Sequence, residues 1–184
     1  MKLLQLLPIG DVDLLALEEL GPLIAQHFHV AWDILHPALD PQFAYHAERQ
    51  QYHSTDILAR MQGYLGEESW RLLGVTSHDL YIPILTFVFG EAQMAGPAAV
   101  VSTYRLRQDF YGLASDENIE RDRLLKEAVH EVGHTLDLRH CEDYRCAMAA
   151  SHAVEWIDLK EMGMCPSCMT RLAPPQKKVR ASWF

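Results

Sequence analysis

His130-Glu131-Val132-Gly133-His134-Thr135-Leu136-Asp137-Leu138-Arg139-His140-Cys141 is the stretch from which the rest of this chain can be read. Residues four apart share a helix face, so a helix here presents the imidazoles of His130 and His134 to one point. Glu131, one residue round from His130, stands where it can hold a water beside that point and take its proton. His140 follows six residues after His134, beyond the same helical turn, so the chain must bend back to bring it to the pair. Three neutral nitrogen ligands with one open position describe a catalytic zinc site, not a closed structural one. The bland reading is a surface helix that carries His-Glu-x-x-His by accident, and the third histidine counts against it.

Upstream, Ser115-Asp116-Glu117 is a capping cluster with acid at the positive end of a helix expected to run to about Leu136. Leu124, Leu125, Ala128, Val129, Val132 and Leu136 form its apolar stripe, while Glu127, His130, Glu131 and His134 fall on a side that can face a cleft. Downstream come Cys141-x4-Cys146 and Cys165-Pro166-Ser167-Cys168. Two short cysteine pairs separated by an intervening segment have the spacing of a four-thiolate zinc site. Two disulfides, or a redox Cys-x-x-Cys at 165 and 168, are the alternatives. The first is disfavoured in a reducing compartment, and the second lacks its usual strand-to-helix context. His140 and Cys141 are neighbours that point to opposite sides of extended chain, so they are assigned to different metals.

The chain has 184 residues, of which 49% are hydrophobic and 22% charged, the profile of one ordinary globular domain. Its formal net charge of -9 argues against nucleic-acid binding, which needs a basic surface. No apolar run is long enough to span a membrane, and Met1 to Pro8 lacks a signal-peptide cleavage site. A cytoplasmic, monomeric protein is expected. No cysteine precedes residue 130, so a cysteine latch over the zinc is not expected.

Along the chain, residues 2 to 9 read as a buried strand, and Asp11 or Asp13 as the cap of a helix that Gly21-Pro22 interrupts. Phe28 to Leu35 reads as a second strand. Ser54 caps a helix carrying Ile57, Leu58, Met61, Tyr64 and Leu65. Asp79 to Phe89 is the strongest β segment in the pattern, Gly90 to Pro97 a loop or short edge strand, and Ala98 to Leu106 a further strand. Strands alternating with helices predict an α/β layer on a mostly parallel sheet. His27, His29, His36, His46 and His53 have no partners at metal spacing and read as scattered histidines.

The pattern His130-Glu131-x-x-His134-x5-His140-Cys141-x4-Cys146-x-Met148, followed by Cys165-x-x-Cys168, resembles the archaemetzincin family of zinc peptidases. Phe87-Val88-Phe89-Gly90-Glu91-Ala92 and Ser102-Thr103-Tyr104-Arg105-Leu106 are also similar to it. The resemblance implies a metzincin-like fold: an N-terminal subdomain, residues 1–135, with twisted sheet and active-site helix, and a small C-terminal subdomain, residues 136–184, below a cleft. It implies that His130, His134 and His140 bind catalytic zinc, that Glu131 is the general base, and that Met148 forms the turn beneath the metal. It makes Cys141, Cys146, Cys165 and Cys168 the ligands of a second, structural zinc. One residue departs from the pattern: Asp137 stands where such proteins usually have glycine, at a sharp turn. Aspartate tolerates a left-handed backbone better than most residues.

The expected activity is hydrolysis of peptide bonds in a peptide or protein substrate, by Glu131-assisted attack of a zinc-bound water. A short edge strand before Ala98 can pair with an extended substrate. Beyond the metal no transition-state donor is evident. Tyr144 can reach the cleft or simply pack, and Arg105 and Arg107 can meet a substrate carboxylate or form salt bridges. The competing expectation is a zinc-binding protein of the same fold with little or no proteolytic activity, acting as a binding or regulatory module.

Overall fold

The computed structural model describes residues 2–172; the expected C-terminal subdomain thus extends, over 173–184, outside the described residues. The first strand, β1 (Leu3–Ile9), is followed by α1 (Leu14–Phe28), capped by the Asp13 carboxylate, which accepts from the Leu15 N–H at 2.9 Å. Helix α1 runs through Gly21-Pro22 where an interruption was expected. Gly21 is required because the Trp32 ring lies where a Cβ would be, and the packing this permits outweighs the bond Pro22 cannot donate. Next come β2 (Ala31–Ile34), the short pair β3 (Tyr45–His46) and β4 (Gln51–His53), and α2 (Ser54–Met61). Ser54 is the first residue of α2 rather than its cap, and its hydroxyl joins the Glu91 carboxylate.

The middle of the sheet is β5 (Ser69–Thr76), a strand the sequence pattern does not reveal. Its neighbours in the chain are β6 (Leu80–Tyr81), β7 (Gly90–Ala92) and β8 (Ala98–Ser102). Strand order is β2-β1-β5-β8-β7; the first four are parallel, and β7 runs antiparallel at the edge. The long strand expected over Asp79–Phe89 is not formed. Leu80 and Tyr81 form β6, Val88 returns to bridge Leu80, and Pro83 to Phe87 between them make a lip whose carbonyls at Leu85 and Thr86 are held by the Arg49 guanidinium. Ile84 is 86% exposed there, so the middle of that apolar run faces outward while Leu80, Tyr81 and Phe89 at its ends are buried. The strand expected over Ala98–Leu106 likewise ends at Ser102.

Both faces of the sheet are covered, so the alternate residues of β5 and β8 feed two cores. Leu73, Val75, Ala99 and Val101 pack under α1 and the helix α3 (Glu117–Thr135). Leu72, Ala98 and Val100 pack on the other face against Ile57, Leu58 and Met61 of α2. Two short helices, α4 (Val154–Leu159) and α5 (Pro166–Leu172), complete the described chain. A small third cluster of Leu138, Cys146, Met148 and Cys168 lies below α3. Among the described residues no helix is long and apolar enough to cross a membrane.

Candidate active site

Helix α3 carries the site. The Asp116 carboxylate accepts from the N–H groups of Asn118 and Ile119 at 3.0 and 3.2 Å, with Glu117 and Glu120 in the first turn. Burial of Leu124, Ala128, Val129 and Val132 against the sheet turns Glu127, His130, Glu131 and His134 toward a cleft of about 550 Å³. The helix ends in a left-handed turn at Asp137, φ 65°. Its N–H bonds His134 O and that of Leu138 bonds Gly133 O, the paired closure of a Schellman motif. The Asp137 side chain is exposed and stands outside the group of histidines that can hold a metal. The closed turn also places Leu138 O 2.7 Å from His134 Nδ1.

That contact, and its counterpart at 2.8 Å between His130 Nδ1 and Ala147 O, fix both imidazole tautomers. A carbonyl only accepts, so each Nδ1 carries the proton and each Nε2 is a bare lone pair. Those two Nε2 atoms stand 3.0 Å apart. Facing lone pairs at that distance repel unless a cation lies between them. The His140 ring lies 5.3 Å from that of His130 and 5.0 Å from that of His134, and the three donor nitrogens fall within 4.8 Å of one another. Burial pushes the His130 pKa well below the ordinary imidazole range and lowers those of His134 and His140, which keeps all three neutral, as metal ligands must be. The site therefore fits a zinc ion.

Glu131 is buried, and desolvation followed by the nearby Glu127 carboxylate raises its pKa well above the usual carboxylate range. It lies directly behind β7: a Cβ at Gly90 would come within 2.7 Å of Glu131 Cγ and Oε1. Met148 is fully buried under the same helix, and a Cβ at Gly133 would collide with its Sδ.

The four cysteine sulfurs also lie within 4.8 Å of one another, and all four cysteines are free. Cys141 and Cys165 Sγ are 3.8 Å apart, about the edge of a tetrahedron with 2.3 Å zinc–sulfur bonds. Cys146 Sγ accepts the N–H groups of Met148 at 3.4 Å and Cys165 at 3.2 Å, bonds that favour the thiolate against the burial that raises this thiol. The Cys168 N–H, acting on Cys165, lowers that thiol to about 7. Cys141 N–H donates to Met148 O at 2.9 Å, so the cysteine cluster and the segment beneath the histidines are stitched together next to His140.

Other expected residues fall elsewhere. Tyr144 is 59% exposed and is not part of the cleft wall. Arg105 forms a two-pronged ion pair with Asp79, at 2.6 and 2.7 Å, and does not line the cleft. None of His27, His29, His36, His46 and His53 joins a metal-sized group among the described residues. Sequence reasoning assigned no site role to Gly90, His152 or Lys160. His152 lines the cleft but sits at no recognisable spacing, and Lys160 meets Glu127 from 33 residues away.

Two imidazoles of α3 and a third from beyond its end thus converge beside a buried glutamate in a cleft along an edge strand, a donor set that suits the chemistry of zinc hydrolases. The sequence pattern described as peptidase family M54 matches residues 42–174. An archaemetzincin of Methanocaldococcus jannaschii is 41% identical, over 90% of this chain and 89% of its own. One of Haloarcula marismortui is 34% identical, over 89% and 95%. The crystal structure of Archaeoglobus fulgidus archaemetzincin complexed with malonate superposes with a TM-score of 0.79 at 37% identity, covering 93% of this chain and 99% of that one. A zinc-dependent peptidase from Methanocorpusculum labreanum superposes with a TM-score of 0.84 at 25% identity, covering 92% and 100%. The chain belongs to peptidase family M54, the archaemetzincin family. It is a hydrolase acting on peptide bonds, and the non-catalytic reading is not favoured.

Proposed function

We propose that His130, His134 and His140 hold the catalytic zinc and that Glu131 is the general base of peptide hydrolysis. The observation that carries this is the pair of bare Nε2 lone pairs facing each other at 3.0 Å beside a buried glutamate in the cleft. When bound there, zinc supplies Lewis acidity toward the scissile carbonyl and its water. Glu131 accepts the proton of the attacking water and returns it to the departing amine. Its raised pKa suits it to both halves of that task, because a strongly acidic carboxylate would release the proton but not take it up. The edge of β7 offers backbone N–H and C=O groups to an extended peptide.

Cys141, Cys146, Cys165 and Cys168 hold a second, structural zinc in this reading, and Met148 is the turn residue supporting the histidines from below, as in metzincins. The segment from residue 136 onward then forms a small subdomain stapled by that zinc, below the N-terminal unit of residues 1–135. Thiolates kept for a metal fit a reducing, cytoplasmic setting. The test is Glu131→Gln. Hydrolysis of a mixed peptide library should vanish while zinc per chain stays as in wild type. Turnover retained by that variant would remove Glu131 from the chemistry.

A further inference from the structure

The floor of the cleft holds a charge pair that hydrolysis as derived above does not use. Glu127 lies one turn before Glu131 on α3, lines the cleft, and is 3% exposed. Lys160, just past α4, reaches it from behind. Its side chain is 0% exposed, and Nζ donates to Glu127 Oε1 at 2.8 Å. Ser151 Oγ, also on the cleft wall, stands 3.5 Å from the same oxygen. The cleft wall contains Glu127 and Ser151 but not Lys160, so an incoming group meets the carboxylate first. Both contacts end on Oε1, and Oε2 takes part in neither.

A fully buried ion pair is a weak device for stability, since apolar residues of equal volume often serve as well or better. Set into the wall of a substrate cleft, it has a recognition role. Phe87, Val88, Phe89 and Met94 give the lining an apolar part, to which Thr86, Glu91 and His152 add polar groups. An apolar wall beside a buried polar anchor makes a pocket that accepts a side chain and fixes its end. Charge decides which end fits. Lys160 already neutralises Glu127, so a second cation is repelled by the ammonium and an anion by the carboxylate. An uncharged donor meets the spare lone pair on Oε2 with neither penalty.

We propose that Glu127, held by Lys160, is the specificity-determining floor of the pocket for a substrate side chain beside the scissile bond. It selects an amide or hydroxyl side chain over an aliphatic one. The proposal rests on the peptidase reading of the same cleft. An aliphatic side chain strips water from Oε2 and returns no hydrogen bond, and that unpaired group is what discriminates.

The test uses the zinc-loaded protein and peptide hydroxamates, which anchor on the metal and so fix the register, differing only in the adjoining side chain. Calorimetry should rank glutamine about tenfold above norleucine in wild type, the size of one hydrogen bond to a charged acceptor. Glutamate and lysine should fall below glutamine. Replacing the pair by Glu127→Leu with Lys160→Met should reverse the order of glutamine and norleucine, with the circular dichroism spectrum unchanged. Norleucine equal to or above glutamine in wild type overturns the proposal whether or not the double variant folds. So does an unaltered ratio in a folded double variant. If none of the probes binds the zinc-loaded wild type, the peptidase reading of the cleft fails first and takes the pocket with it.

Discussion

Gly90→Ala is the most informative single methyl that can be added to this protein. A Cβ at that position would lie 2.7 Å from Glu131 Cγ, from Glu131 Oε1 and from the carbonyl oxygen of Val100. Ordinary contact begins at 3.4 Å, so each approach is short by about 0.7 Å. The Val100 carbonyl is fixed in the β7–β8 pairing, where Gly90 stands opposite Val101 and Glu91 opposite Val100. The strand is further tied to α2 by Glu91, whose carboxylate accepts the Thr55 hydroxyl at 2.9 Å. Glu131, a side chain, therefore gives way on one side, while β7 must shift slightly from β8 to relieve the Val100 carbonyl on the other. Displacing a catalytic group by something under 1 Å costs about a hundredfold in rate. The overpacking itself costs about 1–2 kcal/mol of stability. The three atoms nearest such a Cβ include no imidazole, so zinc content should be unchanged. The assay pairs kcat/KM on a cleaved peptide with zinc per chain and the urea midpoint. A variant that keeps its zinc and turns over within about twofold of wild type would refute the placement of Glu131 as the working base.

Two further outcomes follow from the turn and the cysteine cluster. Asp137→Gly should stabilise the fold by about 0.5–1 kcal/mol, because φ of 65° strains an aspartate that has no compensating bond to the histidine site. A lower urea midpoint in that variant would contradict the strain, and peptide hydrolysis should change little. Cys165→Ser should weaken the histidine site as well as the cysteine site, since Cys141 N–H to Met148 O ties the two beside His140. Zinc titration monitored by hydrogen exchange over residues 138–150 would detect this, and full protection there in the variant would show the sites to be independent.

The convergence of the donor side chains was legible in sequence because each group is local. His130, Glu131 and His134 share a helix face by spacing alone, and the two cysteine pairs carry their own signal. The exchange of roles between β5 and the lip was not legible, and the reason is physical. Periodicity reports burial, and the Asp79–Phe89 run reads as a buried strand although Ile84 and Leu85 are the exposed lip of a cleft. In β5 the disguise runs the other way. Arg71 looks polar but donates to Thr135 Oγ1 and O at 2.8 and 3.0 Å, anchoring the end of α3 to the sheet. Gly74 looks like a breaker, but a Cβ there would meet Ile9 Cδ1 at 2.5 Å. Both are residues whose reason lies in a distant segment. Lys160 is the same case at the site: nothing near it in sequence announces that its ammonium closes the cleft floor against Glu127.

Zinc per chain is the measurement that reaches furthest into these conclusions, made on wild type, on His130→Ala with His134→Ala, and on Cys165→Ser. Two zinc ions in wild type, falling to about one in the double histidine variant with the fold retained, is the expected result. It would place one metal on the imidazoles and leave one on a cysteine-stapled scaffold. A single zinc in wild type, lost only when the cysteines are altered, would mean that the three histidines converge without holding a metal, and the assignment of His130, His134 and His140 would fall.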